Sequence, residues 1–82
     1  MECYPNPAQG EFTIEYSLSK SQNIEISIQD MTGKILMTNV PKAFSEKGVF
    51  STTVNTLNMS KGIYLVKMRS DEGIIVKKIA IQ

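Results

Sequence analysis

Histidine and tryptophan are both missing from this chain, and Cys3 is its only cysteine. Without histidine, the commonest general base and the commonest metal ligand are gone. A lone thiol can form neither an internal disulfide nor a tetrahedral thiolate site, and it leaves the redox compartment open. No apolar run approaches the ~20 residues that a spanning helix needs. No leader-type segment opens the sequence, so Met1 reads as an initiator set before an excised fragment. Neither sign of charge dominates: nine Lys and Arg stand against eight Asp and Glu, a net +1, which gives no electrostatic case for nucleic acid or an anionic membrane. The many serines lie in no Gly-x-Ser-x-Gly elbow, and no glycine-rich loop is built to cradle a phosphate. Asp30 and Asp71 fall in apparent turns, where a carboxylate bonds nearby backbone N–H groups. Together these absences exclude the familiar catalytic constellations and imply a protein with no catalytic site, cofactor or metal.

What is present is alternation. In "EFTIEYSL" Phe12, Ile14, Tyr16 and Leu18 alternate with Glu11, Thr13, Glu15 and Ser17, the mark of a half-buried strand. "IEISIQD" repeats the pattern with Ile24, Ile26 and Ile28 inward. "DMTG" at Asp30–Gly33 suits a tight hairpin with glycine in the left-handed position. "KILMTNV" is the return strand, and "PKAFSEKG" from Pro41 to Gly48 reads as a loop crossing between two sheets. "VFSTTVN" puts Phe50, Thr52 and Val54 on one face, and the connection "TLNMSKG" is expected to plug the core with Leu57 and Met59. "IYLVKMRS" sends Tyr64, Val66 and Met68 inward and Leu65, Lys67 and Arg69 outward. After the turn "DEG", the last strand "IIVKKIAIQ" changes phase at Lys77-Lys78. Either a β-bulge there restores one apolar face, or the strand is buried on both faces with its lysines at a sheet edge.

No helical period persists. At 82 residues and 9.2 kDa, with turn signals every ~8–12 residues, the chain is one all-β domain. The expected architecture is an antiparallel immunoglobulin-like β-sandwich of about seven short strands. "YPNP" at Tyr4–Pro7 cannot join a ladder as a central strand, because proline lacks the backbone N–H. It reads as an extended lead-in, with Cys3 ahead of it exposed to solvent.

Four elements in this order resemble the type A C-terminal sorting domains of the type IX secretion system of Bacteroidetes-type bacteria. They are Tyr4-Pro5-Asn6-Pro7, "ISIQDMTGKIL", "LNMSKGIYLVKM" and the closing "VKKIAIQ". The resemblance covers Tyr4 to Gln82 and departs at Met59, where leucine is more usual, and at Gln82, where a basic residue is. It implies residues 1–3 as a linker remnant and 4–82 as a sorting domain with an upstream, covalently attached cargo. Recognition by the outer-membrane translocon is carried over to Gly62, Tyr64, Lys77 and Lys78, with Tyr4, Pro5, Asn6 and Pro7 as the domain-opening motif. The resemblance further implies transit through the periplasm to the cell surface and removal of the domain by a sortase-like peptidase. Self-pairing through Cys3 or a strand edge is the other partnership the chain allows. A carbohydrate-binding or adhesive module is the competing reading; it requires a row of exposed aromatic residues or a calcium-binding carboxylate cluster.

Overall fold

A computed structural model describes all of residues 1–82, as seven strands and no helix. They are β1 (Glu2–Gln9), β2 (Glu11–Leu18), β3 (Gln22–Gln29), β4 (Ile35–Ser45), β5 (Gly48–Asn55), β6 (Gly62–Ser70) and β7 (Gly73–Ile81). Pairing runs β4-β3-β6-β7-β1-β2-β5. The chain of ladders folds over at β1, giving a four-stranded layer (β4-β3-β6-β7) packed on a three-stranded one (β1-β2-β5). Every ladder is antiparallel save the single parallel bridge between Ala8 of β1 and Ile81 of β7.

Alternating β-branched and aromatic residues make these strands, because such side chains pack well on a pleated surface with one buried face. The ten inward residues expected from the pattern, Phe12, Ile14, Tyr16, Ile24, Ile26, Ile28, Val54, Tyr64, Val66 and Met68, are all buried. Ala8, Leu18, Ile79 and Ile81 complete the core, and the rings of Tyr16 and Phe50 stack across the β2–β5 pair with centroids 5.5 Å apart. The hairpin at Asp30 forms as the sequence predicts. Gly33 takes φ +89°, a conformation L side chains rarely adopt, and its N–H donates to the Asp30 carbonyl at 3.0 Å. The Asp30 carboxylate accepts from the Thr32 hydroxyl and from the Thr32 and Lys34 N–H groups. These bonds, the Thr32 hydroxyl first, hold its pKa below the ordinary aspartate value.

Four expectations are corrected. The loop expected at Pro41–Gly48 is strand as far as Ser45, because β4 tolerates its irregular phase as a bulged edge. Its register against β3 shifts between Ile24 and Ile26 and again near Ser27, and Pro41 sits in that broken stretch, where a missing N–H costs no ladder bond. Between β4 and β5 the crossing from one layer to the other is confined to Glu46-Lys47. There Ser21 Oγ donates to the Glu46 carboxylate at 3.1 Å and accepts from Lys47 N–H at 3.0 Å. Leu57 does not plug the core: it is 76% exposed, while Met59 packs against the core alone. The phase change in β7 is neither a bulge nor double burial. The β6–β7 ladder is unbroken from Gly62–Ile81 to Ser70–Gly73, so Ile79 and Ile81 point inward while Ile74 and Val76 point out, 55% and 48% exposed.

The fourth correction concerns "YPNP". It is a bend inside β1, not a lead-in ahead of the first strand. Residues Glu2, Cys3 and Tyr4 pair with Glu15, Ile14 and Thr13 of β2, whereas Ala8 pairs with Ile81 in the other layer. Neither β1 ladder has a pairing at Pro5, Asn6 or Pro7, where the strand passes from one layer to the other. Both X–Pro bonds there are cis. Proline fits this gap because a residue between two ladders has no carbonyl to donate to.

The carboxyl-terminal half of β7 therefore carries much of the fold. Replacing a buried Ile by Ala typically costs ~2–5 kcal/mol. Ile79 and Ile81 are 0% and 3% exposed. A domain of this size has ~4–12 kcal/mol in all, so deletion of residues 79–82 should leave the domain unfolded at 25 °C. Far-ultraviolet circular dichroism of the truncated protein is the check.

Candidate functional site

Four of the residues singled out by the sequence lie on two adjacent strands, β6 and β7; of the β1 motif, Asn6 reaches β7 while Tyr4 belongs with β2 in the other layer. Gly62 opens β6 opposite Ile81, with φ +154°, and its exposed position presents backbone only. Tyr64 lies two residues on, opposite Ile79. Its ring is in the core, and its hydroxyl donates to the Ser60 carbonyl at 2.5 Å, tying the β5–β6 connection to the sheet. Tyr64 also contributes to the lining of an open cleft of about 660 Å³, with Asp30, Leu36, Met37, Asn58, Met59 and others.

Lys77 and Lys78 are adjacent in sequence and divergent in space. Lys78 pairs with Leu65 and shares its outward parity, whereas Lys77 pairs with Val66 and has the inward parity of Ile79. Lys77 nonetheless stays exposed, as does Ile75 two residues before it on the same side of the strand. Its charge reaches the Cys3 thiol, one of the weaker influences there.

Cys3 corrects the expectation of an exposed thiol. Paired opposite Ile14 on the inward side of β1, it is half-buried and packs against the core. Burial pushes the Cys3 thiol above its ordinary pKa, outweighing the nearby amino terminus and Lys77, which pull it down.

The structure adds a connection that the sequence reading missed. The Asn6 side chain bridges the bend to β7 in the manner of a peptide unit. Its Oδ1 accepts from the Ala80 N–H at 3.0 Å, and its Nδ2 donates to the Lys78 carbonyl at 3.4 Å. Two residues later the Ala8 carbonyl accepts from the Gln82 N–H at 2.9 Å. The edge of β7 is thus capped by a side-chain amide, then by backbone. Only an Asn or Gln side chain offers a carbonyl and an N–H together. The signal was available: an amide residue held between two residues that cannot donate. Tyr4, exposed, donates its hydroxyl to Glu15 Oε2 at 3.2 Å on the outer surface of β2, and this bond raises its pKa. Asn6 alone of the domain-opening motif is bonded to the terminal strand, joining opposite ends of the sequence, while Tyr4 is held in the other layer.

Exposed aromatic residues do not form a row. Tyr4 and Phe44 stand on strands of different layers.

Comparison with known proteins gives one result: residues 2–82 match the family model described as secretion system C-terminal sorting domain. Nothing among the curated proteins or the solved structures matches the chain.

Two outcomes follow from this geometry. Asn6→Ala removes both bridging bonds and leaves the Ala80 N–H at a solvated edge, so a loss of ~1 kcal/mol is expected, or ~4–8 °C in Tm by thermal unfolding. Alkylation of Cys3 by iodoacetamide at pH 8 should run several-fold slower in the folded protein than in denaturant, since only the thiolate reacts.

Proposed function

The chain belongs to the type IX secretion system C-terminal sorting domains, and from that premise we propose how its parts divide the work of export. A sorting domain is a secretion signal for the cargo that carries it and catalyses nothing itself; it engages the secretion machinery and directs cargo across the outer membrane toward the cell surface.

In our reading the cargo precedes residue 1, residues 1–3 are the remnant of the joining linker, and residues 4–82 are the address. Cargo reaches the periplasm first. The translocon then reads the β6–β7 hairpin through Gly62, Tyr64, Lys77 and Lys78, while Tyr4, Pro5, Asn6 and Pro7 hold that hairpin in place. A sortase-like peptidase cuts ahead of the domain, releasing cargo to the surface or the medium. The observation that carries this division is the Asn6 bridge to Lys78 and Ala80. It binds the start of the domain to the backbone of its last strand and leaves the Lys78 side chain free. Backbone-level docking suits a receptor that must accept many cargoes, since main-chain contacts tolerate sequence variety.

The test is a periplasmic reporter fused ahead of the domain in a host with this secretion system. The reporter should reach the cell surface or medium with the domain and stay in the periplasm without it. Exposed lysines contribute little to folding. The double variant Lys77→Ala, Lys78→Ala should therefore melt within ~2 °C of the parent and export far less reporter. Normal export by that variant would remove both lysines from recognition. Unfolding of that variant would make them structural.

A further inference from the structure

The net charge of +1 conceals two faces of opposite sign. On the three-stranded layer the outward residues of β1 and β2 include Glu2, Glu11 and Glu15, and no Lys or Arg stands on the outer face of β1, β2 or β5. On the four-stranded layer, β6 and β7 turn Lys67, Arg69 and Lys78 outward, with no carboxylate on either strand's outer face. Glu25 of β3 stands opposite Arg69, and both line a shallow cleft with Lys42 and Asp71. Between the cations runs an apolar strip. Ile63, Ile74 and Val76 are 46%, 55% and 48% exposed, and Leu65 is half-buried among them.

We infer that this outer face of β6–β7 is a docking surface for a protein partner that presents carboxylates around a flat apolar strip. The inference rests on the export reading above and narrows it: of the two adjacent lysines, Lys78 lies on this outer face, while Lys77 has inward parity. Charge complementarity sets the partner's sign, since Lys67, Arg69 and Lys78 face outward on two strands that carry no acid. The acidic opposite face is repelled by the same partner and so fixes the orientation of approach.

Flatness decides the partner's class. An amphipathic element that enters a bilayer sinks its apolar side below its charges. Here apolar and cationic side chains alternate across the two strands instead of lying on separate sides, so no apolar side clear of charge is offered to a bilayer. They can be buried only against a firm surface that matches them, as sheets do when stacked ~10 Å apart. A second copy fits less well. Its acidic face supplies carboxylates but offers only Val49 and Tyr4 as exposed large apolar residues.

The experiment uses the domain fused behind the periplasmic reporter in the secretion-competent host. Lys67→Glu, Arg69→Glu and Lys78→Glu should each lower surface reporter about tenfold or more. Glu11→Lys on the opposite face should stay within about twofold. Thermal unfolding of each purified domain separates docking from folding, and Lys67→Gln and Lys78→Gln are read in place of any reversal that melts early. Carbodiimide, which joins an amine directly to a touching carboxylate, is then applied to outer membranes from the fusion strain. Mass spectrometry should find Lys67 or Lys78 joined to an Asp or Glu of another protein. The double variant Lys67→Arg, Lys78→Arg should keep export and lose that adduct.

Normal export by the face reversals overturns the inference, as does an adduct mapped only to Lys77. Sedimentation of the domain with phosphatidylglycerol vesicles, abolished by Lys78→Glu, would make the partner a lipid surface and overturn it too. So would self-association in the ultracentrifuge abolished by the same change. A parent fusion that is never exported overturns the export reading itself. A parent that is exported while the reversals are silent overturns this inference alone.

Discussion

The first strand has to belong to two sheets at once, and the rest of the structure depends on how it does so. A sandwich of two small layers leaves edges wherever a layer ends, and each edge exposes N–H and C=O groups that another chain could pair with. Passing β1 from β2 to β7 ties an edge of each layer with one strand. The passage itself creates a stretch with no ladder on either side. Prolines at 5 and 7 remove two donors from that stretch, and Asn6 supplies from its side chain the carbonyl and N–H that the bent backbone cannot align. The core follows from this closure. Ala8, Ile79 and Ile81 are buried together where the strand arrives in the second layer.

Most of the core was legible before any coordinates. Period-two alternation places a side chain on a face with little reference to distant sequence, so Ile24, Ile26 and Ile28, or Tyr64, Val66 and Met68, could be assigned from their own neighbours. What alternation could not reach was pairing between the ends of the chain. Cys3 looked exposed because nothing near it in sequence packs on it; its cover comes from the distant core it packs against, opposite Ile14 of β2. β4 looked like a loop because its bulges scramble the alternation that marks a strand, yet an edge strand needs pairing on only one side and tolerates them. Leu57 was misread for the opposite reason: a large apolar residue in a short connection suggests a plug, but the connection faces outward there.

The candidate site was legible in composition and not in arrangement. Its lysines, glycine and tyrosine all lie on one hairpin, but a strand turns consecutive side chains to opposite faces, so a pair named together from sequence is separated in space. The same geometry makes a balanced net charge uninformative. With Glu2, Glu11 and Glu15 on one surface and Lys67, Arg69 and Lys78 on the other, the total cancels while each face keeps its field.

Alternation also lets one short strand hold the fold and carry an address. The inward residues Ile79 and Ile81 are fixed by packing, and any change there is felt by the whole domain. The outward residues Val76 and Lys78 touch little within the molecule and can answer to a partner. Asn6 preserves that separation, because it grips the backbone at Lys78 and Ala80 and leaves their side chains alone. A side-chain clamp on Lys78 would have stabilised the strand equally well and consumed the group that a receptor could read. Holding the terminal strand by its main chain therefore stabilises it without spending its surface, as a domain that must be both folded and recognised requires.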